Sequence, residues 1–375
     1  MWTVQLLLFL LFVDFVDATC SDDGPKRNSF DCDCSWKGVW LDVALLIDNS
    51  NSMTEFGLEE VKAHLATLIS FMNISDSNRN SHFTVVSYSN EPTVVRQITQ
   101  PQNANLLTKS IVNMKYSGSG NLNVGEAMRV AAKELGKSKR TNAKKAIIIY
   151  GTALSEQDSS YEITKQLQES GITVITVAFL EDNEGPLAKR LGQIASPGMN
   201  LTSNDPSLFD DLKRALCETN CYCPHGWEQF RNGTKPLGQC FLYGNIEANW
   251  WAAKRSCENR GGYLMAHLDA KYLEQVKTYL NQTDEYPNSF YKLHVGLRYD
   301  NFYENYLWDG GFGVLSSAFQ SSWCPGFPNI SHGRSVLSVM SRDGNDYCWL
   351  NEDELKMIGR YFCQRRTCDA GKYCP

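Results

Sequence analysis

Residues 39–52 read VWLDVALLIDNSNS, and this stretch decides the fold of the first half of the chain. From Val39 to Ile47 it is almost unbroken in apolar and β-branched residues, the pattern of a strand buried on both faces. Asp48, Asn49, Ser50, Asn51 and Ser52 then form a polar loop, and a helix is predicted from about Leu58 to Met72 with Leu58, Val61, Leu65, Leu68 and Ile69 on one face. Working outward, strands are expected at 82–89, 93–98, 144–150 and 172–179, and helices at 123–135, 160–170, 186–194 and 206–216. Gly171 stands where the helix 160–170 should stop, and Asp205-Pro206 reads as cap and first residue of the last. Strands alternating with helices predict a doubly wound α/β unit around a mostly parallel sheet. Ligands of such sheets lie beyond the carboxyl ends of the strands, which is where the loop Asp48–Ser52 emerges. A carboxylate and two hydroxyls at alternate loop positions suit one hard cation such as magnesium.

Over residues 39–216 the order of elements, together with Asp48, Ser50 and Ser52, resembles the von Willebrand A family and the opening of its metal-ion-dependent adhesion site. The resemblance implies two further ligands, a Thr before the third helix and an Asp after the fourth strand. Leu122 and Gly151 stand at those two positions, and Asn121, Asn123 or Asp158 would replace them only with a shifted loop. The residues carry a second reading, in which Asp48, Ser50 and Ser52 hydrogen-bond the turn and cap the helix without a metal.

The surroundings of this unit point to export. Residues 1–18 hold an apolar run from Trp2 to Val16 ending in Val16-Asp17-Ala18, the shape of a secretory signal peptide and shorter than the roughly 20 residues a membrane span requires. Thirteen cysteines lack the paired spacings of a zinc site, and five sequons begin at Asn73, Asn200, Asn232, Asn281 and Asn329, so a secreted, extracellular, disulfide-bonded glycoprotein is expected. An odd count leaves one thiol for an intermolecular bond, and thus for a disulfide-linked oligomer, or free. Cys32 and Cys34 in the segment 19–38, and Cys217 and Cys221 in the junction 217–222, flank the first unit, and bridges across that gap would staple its ends. Spacing alone leaves the pairing open. A net charge of −6 and a pI near 5.6 exclude nucleic acid as partner, since phosphate neutralisation needs a basic face.

Beyond residue 223 the composition shifts to Trp, Tyr and Gly, with helices expected only at 249–261 and, capped by Asp269, at 269–280, among short strands at 294–300, 306–311 and 357–364. An α+β unit over 223–364 follows, with a cysteine-containing tail at 365–375. Its landmarks, in order, are Cys223-Pro224-His225-Gly226-Trp227, Cys240-Phe241, Trp250 to Cys257, His294-Val295-Gly296-Leu297, Trp308-Asp309-Gly310, Trp323 to Asn329 and Tyr361-Phe362-Cys363. Together they resemble the C-type-lectin-like fold. The resemblance implies bridges Cys223–Cys240 and Cys257–Cys363. Cys348 has Cys324, which the common pattern lacks, as an available partner, and Cys368 and Cys374 could pair locally. It also implies calcium-dependent sugar binding through Glu-Pro-Asn in a long loop and Asn-Asp on a later strand. Here the triplet is Phe327-Pro328-Asn329, and phenylalanine cannot ligate a cation, while Asn345-Asp346 imitates the second motif. Phe327, Pro328, Asn329, Asn345, Asp346 and Trp349 are therefore the candidate ligand-binding residues, with Trp308 and Trp323 read as core and calcium or magnesium as the ions the two units would take.

The function expected is non-enzymatic recognition of a glycan, a cell-surface glycoconjugate or a microbial surface through the second unit, with a role in innate defence. The competing expectation is an adhesion or matrix protein that binds an extracellular protein through its first unit. No GxSxG, HExxH or P-loop pattern occurs, and the six histidines are scattered.

Overall fold

The computed structural model describes residues 31–152, 154, 159–179, 186–266, 270–283, 290–311, 323–341 and 347–375. The signal-peptide reading, Cys20, Asp158, Asp269, Asn345 and Asp346 fall outside the described residues.

The first sheet is built from β1 (Asp42–Asp48), β2 (His82–Tyr88), β3 (Thr93–Arg96), β4 (Lys145–Gly151), β5 (Ile172–Ala178) and β6 (Asn200–Thr202), ordered β3-β2-β1-β4-β5-β6. Every pairing is parallel except β2–β3, so the sheet is mixed, with one antiparallel edge. Side chains on a strand alternate faces. Val43, Leu45 and Ile47 therefore pack with α1 (Thr54–Phe71), α2 (Ala104–Val112) and α6 (Leu208–Thr219), while Ala44 and Leu46 pack with α3 (Val124–Leu135), α4 (Ser160–Glu169) and Leu191 of α5 (Pro186–Gln193). Two-sided burial is what the unbroken apolar run encodes.

Two local readings need correction. The last helix begins at Leu208, not at Pro206, because the Asp205 carboxylate accepts from the Ser207 amide at 2.8 Å and hydroxyl at 2.7 Å and closes a turn ahead of it. Helix α2 is missing from the sequence reading. Its nine residues bury only Leu107 and Ile111, too few for a helical period to stand out, and its Asn103 cap accepts from the amides of Asn105 and Leu106. Gly171 does follow α4 with φ of 81°, the left-handed turn that favours glycine.

His64 of α1 joins three elements. It stacks on Phe209 of α6 at 4.4 Å between ring centroids, and its Nδ1 lies 3.2 Å from the hydroxyl of Tyr150 on β4. Burial lowers its pKa from 6.5 to about 4. The native state thus favours the neutral ring, and that stability is whole above about pH 6.5 and is lost as pH falls toward 4. His64→Phe keeps the stack and removes the titration. Urea midpoints at pH 7 and pH 4.5 should fall less for the variant than for the parent; equal losses would remove His64 from the acid response.

The second sheet comprises β7 (Glu228–Asn232), β8 (Lys235–Asn249), β9 (Tyr263–Leu264), β10 (Phe290–Asp300), β11 (Asn305–Trp308), β12 (Ser335–Ser341), β13 (Tyr347–Glu352) and β14 (Ile358–Arg366). Its main order is β13-β12-β10-β14-β8-β7, with β11 against β10 and β9 against β14. Helix α7 (Trp250–Asn259) is tied to it by the Trp250 indole, which donates to the Val295 carbonyl at 3.0 Å. Val276 and Leu280 of α8 (Ala270–Thr283) pack on Phe230, Phe241, Leu293 and Phe362. His294 is buried in β10, its Nε2 2.7 Å from the Ala248 carbonyl, and burial holds its pKa below the usual imidazole range.

Disulfides Cys32–Cys221 and Cys34–Cys217 join the entry and exit of the first unit; within and beyond the second lie Cys223–Cys240, Cys257–Cys363, Cys324–Cys348 and Cys368–Cys374. The C-terminal tail returns to the first unit. Tyr222 and Cys368 exchange backbone hydrogen bonds of 3.0 and 2.9 Å, Tyr373 meets Trp40 edge to face at 4.8 Å, and the Asn142 amide donates to the Cys374 carbonyl at 2.8 Å. Gly38 lies so close to Ala370 that a Cβ would stand 2.1 Å from its carbonyl oxygen. The two units are therefore packed together through the tail as well as covalently joined.

Candidate functional site

The loop that leaves β1 is fixed by its own side chains. Asp48 is fully buried; its Oδ1 accepts from the Ser50 amide at 2.9 Å, while Oδ2 accepts from the Thr152 hydroxyl at 2.9 Å and amide at 3.3 Å. Asn49 knits the loop to residues 115–117, donating to the Lys115 carbonyl at 3.0 Å and accepting from the Ser117 amide at 2.9 Å. Asn123 caps α3 through the Glu126 amide at 3.1 Å, and Leu122 packs partly buried against the core. Ser50 Oγ is buried without a hydrogen-bond partner among the described residues, and Ser52 is exposed.

Among the described residues this donor set does not fit a divalent cation. Ser50 Oγ keeps the aspect of a ligand, but the loop brings one carboxylate, and hard cations of charge two are held by several anionic or carbonyl oxygens. Thr152 donates its hydroxyl proton to Asp48 Oδ2, which spends that oxygen on a hydrogen bond. Leu122 offers no oxygen at all. Of the two sequence readings, the hydrogen-bonded turn describes Asp48 and the Ser50 amide, with Thr152, unremarked in the sequence, completing it; the expected helix cap is not formed, since Met53 precedes α1 and no side chain caps it.

In the second unit the segment 323–334 is held at many points. Cys324 donates from its amide to the Trp349 carbonyl at 2.8 Å and is bridged to Cys348. Asn351 of β13, fully buried, accepts from the Asn329 amide at 2.7 Å and donates to the carbonyls of Asn329 and Gly333, both at 2.6 Å. Both amide hydrogens and the oxygen of this one side chain are thus spent on the loop. Gly333, with φ of 148°, lies where a Cβ would meet the Glu352 backbone at 2.0 Å. The Phe327–Pro328 peptide bond is cis. Phe327, half-buried, faces the His332 ring at 5.5 Å, and Pro328, Asn329, Ile330 and His332 are exposed.

Trp349 must be withdrawn from the ligand-binding set. It is 1% exposed and meets Trp308 and Trp323 edge to face at 5.8 and 5.9 Å, while its indole donates to the Tyr347 hydroxyl. As a strand residue facing inward it is core, and a ligand cannot reach it. Asn351, two positions on, is the residue that the sequence reading missed, and no local signal marks it.

A mixed sheet with the loop Asp48–Ser52 at the carboxyl edge of β1, between α-helical layers, is the arrangement against which known domains can be compared. The description von Willebrand factor type A domain matches residues 42–215. The first unit is von Willebrand A-like. The whole chain is similar to C-type lectin domain-containing protein 160 of Caenorhabditis elegans, 31% identical over 93% of this chain, and the chain spans 57% of the length of that relative. Among solved structures the von Willebrand A-like unit is similar to proximal thread matrix protein 1 of the mussel byssus with a zinc-occupied MIDAS motif, at 17% identity and a TM-score of 0.43 over 49% of this chain and 48% of that one. Another neighbour is BatB from Bacteroides thetaiotaomicron, at 17% identity and a TM-score of 0.39 over 48% of this chain and 98% of that one.

Proposed function

We propose that this chain is an extracellular, non-enzymatic recognition protein whose second unit is a C-type-lectin-like domain that binds glycans, on microbial surfaces in a role of innate defence, without calcium. The observation that carries the reading is the Asn351 side chain. A cation orders a loop by drawing oxygens together, and a carboxamide with its three hydrogen bonds to Asn329 and Gly333 does the same without charge. The loop so held offers Phe327, Pro328, Ile330 and His332, apolar and aromatic surface of the kind that stacks on the hydrophobic face of a sugar ring. Six disulfides and a similarity to a C-type lectin domain-containing protein support an oxidising, extracellular setting and the lectin-like reading. Glycans at Asn73, Asn200, Asn232, Asn281 and Asn329 belong to the same proposal.

The test is glycan-array binding of the intact secreted chain in calcium and in EDTA. Equal binding in both is expected, with loss on Phe327→Ala. Binding lost in EDTA would return the site to a calcium lectin.

One feature favours a protein partner instead. A groove of about 450 Å³ beside β3 is lined by Asn49, Glu91, Thr93, Val95, Met114 and Lys115, a surface of mixed polarity with both charges at the ligand edge of the von Willebrand A-like unit. An array blank in both conditions would move the function there.

A further inference from the structure

The disulfide map has a mechanical meaning. Consider tension applied between Cys32 and Cys374. From Cys32 it crosses at once to Cys221, runs to Cys223, crosses to Cys240, follows β8 and α7 to Cys257, crosses to Cys363, and reaches Cys368 and its partner Cys374. Cys34–Cys217 forms a second ring inside the first, 183 residues around. Only the segments 221–223, 240–257 and 363–368 can lengthen, about 24 residues or on the order of 80 Å fully extended.

Everything proposed to recognise a ligand lies off this path. Asp48, Thr152 and the groove by β3 are inside the ring closed by Cys34–Cys217, and Phe327, Asn329 and Asn351 are inside the ring closed by Cys257–Cys363. At rest the two ends of the path touch, since Arg366 pairs with Asp33, and a Cβ at Gly371 would meet the Asp33 carboxylate at 2.2 Å. The six bridges use twelve of the thirteen cysteines, and Cys20, outside the described residues, stands on the N-terminal side of the path.

We infer that the chain has a mechanical function, carrying tension between residues 32 and 374 through its bridges while the first unit is shielded from load and the loop 323–334 stays off the load path. This rests on connectivity and holds whatever either unit binds. Noncovalent domains under tension unfold through their cores; here the core of the first unit is bypassed, while in the second unit the load runs through β8 and α7, whose Trp250, Ala253 and Cys257 are buried with Tyr361 and Cys363. The Tyr222–Cys368 pairing and the Trp40–Tyr373 contact would open first, and they lie in the clasp between the units.

Single-molecule stretching of the full secreted chain, with handles fused before residue 31 and after residue 375, tests it. Oxidised protein should gain no more than roughly 80 Å of contour length, and fully reduced protein on the order of 1,000 Å. Replacing Cys32 and Cys221 by Ser should add about six residues, roughly 20 Å, because Cys34–Cys217 still shields the first unit. Replacing Cys34 and Cys217 as well should release the 189-residue loop, on the order of 600 Å. Should the fourfold variant not fold, stepwise reduction of the parent supplies the same lengths. An oxidised parent that yields a rip of hundreds of ångströms overturns the inference, as does a 600 Å release on losing the Cys32–Cys221 bridge alone.

Discussion

Asn351→Leu is expected to lower the stability of the second unit by about 3–5 kcal/mol and to free the loop 323–334. Leucine fills the space but leaves the Asn329 amide and the carbonyls of Asn329 and Gly333 facing apolar atoms, and each buried polar group left unpaired costs roughly 1–3 kcal/mol. Amide hydrogen exchange over 327–334, alongside a thermal melt, reads both effects. The companion Asn351→Asp sharpens the point. It keeps the acceptor for the Asn329 amide but sets a carboxylate against two carbonyl oxygens, an arrangement that wants a cation. Calcium should therefore protect the loop in Asn351→Asp and leave the parent unchanged. A parent whose loop exchange slows in calcium would show that the carboxamide is not the whole staple.

Thr152→Asp combined with Leu122→Thr is expected to create a divalent cation site in the von Willebrand A-like unit. The first change sets a second carboxylate beside Asp48 in place of a hydroxyl donor, and the second supplies the missing oxygen. Without metal the paired carboxylates should destabilise the variant, and magnesium or manganese at 100 times its Kd should restore about 2.7 kcal/mol. Melting curves with and without each ion, on parent and variant, decide it. The parent should show no shift. A parent stabilised by millimolar manganese would mean that Ser50 and Ser52 with a single carboxylate suffice, and the reading of Thr152 would fall.

Both residues, Thr152 and Asn351, were invisible in the sequence for one reason. A threonine after a buried strand and an asparagine within one are unremarkable by composition and period. Their roles come from partners far along the chain, Asp48 for the one and Asn329 and Gly333 for the other. Trp349 shows the converse error. A tryptophan near a candidate loop invites a role in stacking, and only its strand register, opposite Ser338 on β12, shows that it turns inward. The α2 helix went unread because its burial is too slight to impose a pattern.

What the sequence determined by itself was the alternation of buried strands and amphipathic helices in residues 42–215 and the polar loop that ends β1. Those are local properties, written in the period of apolar side chains along one element, and burial enforces them whatever the rest of the chain does. The cysteines and the shift in composition after residue 223 were equally open to inspection. Which cysteines flank one load path, whether a loop needs a metal, and which aromatic faces solvent were decided by the tertiary structure. Each depends on atoms brought within about 3 Å by folding, and hydrogen-bond chemistry at that range is specified by geometry that sequence spacing does not carry.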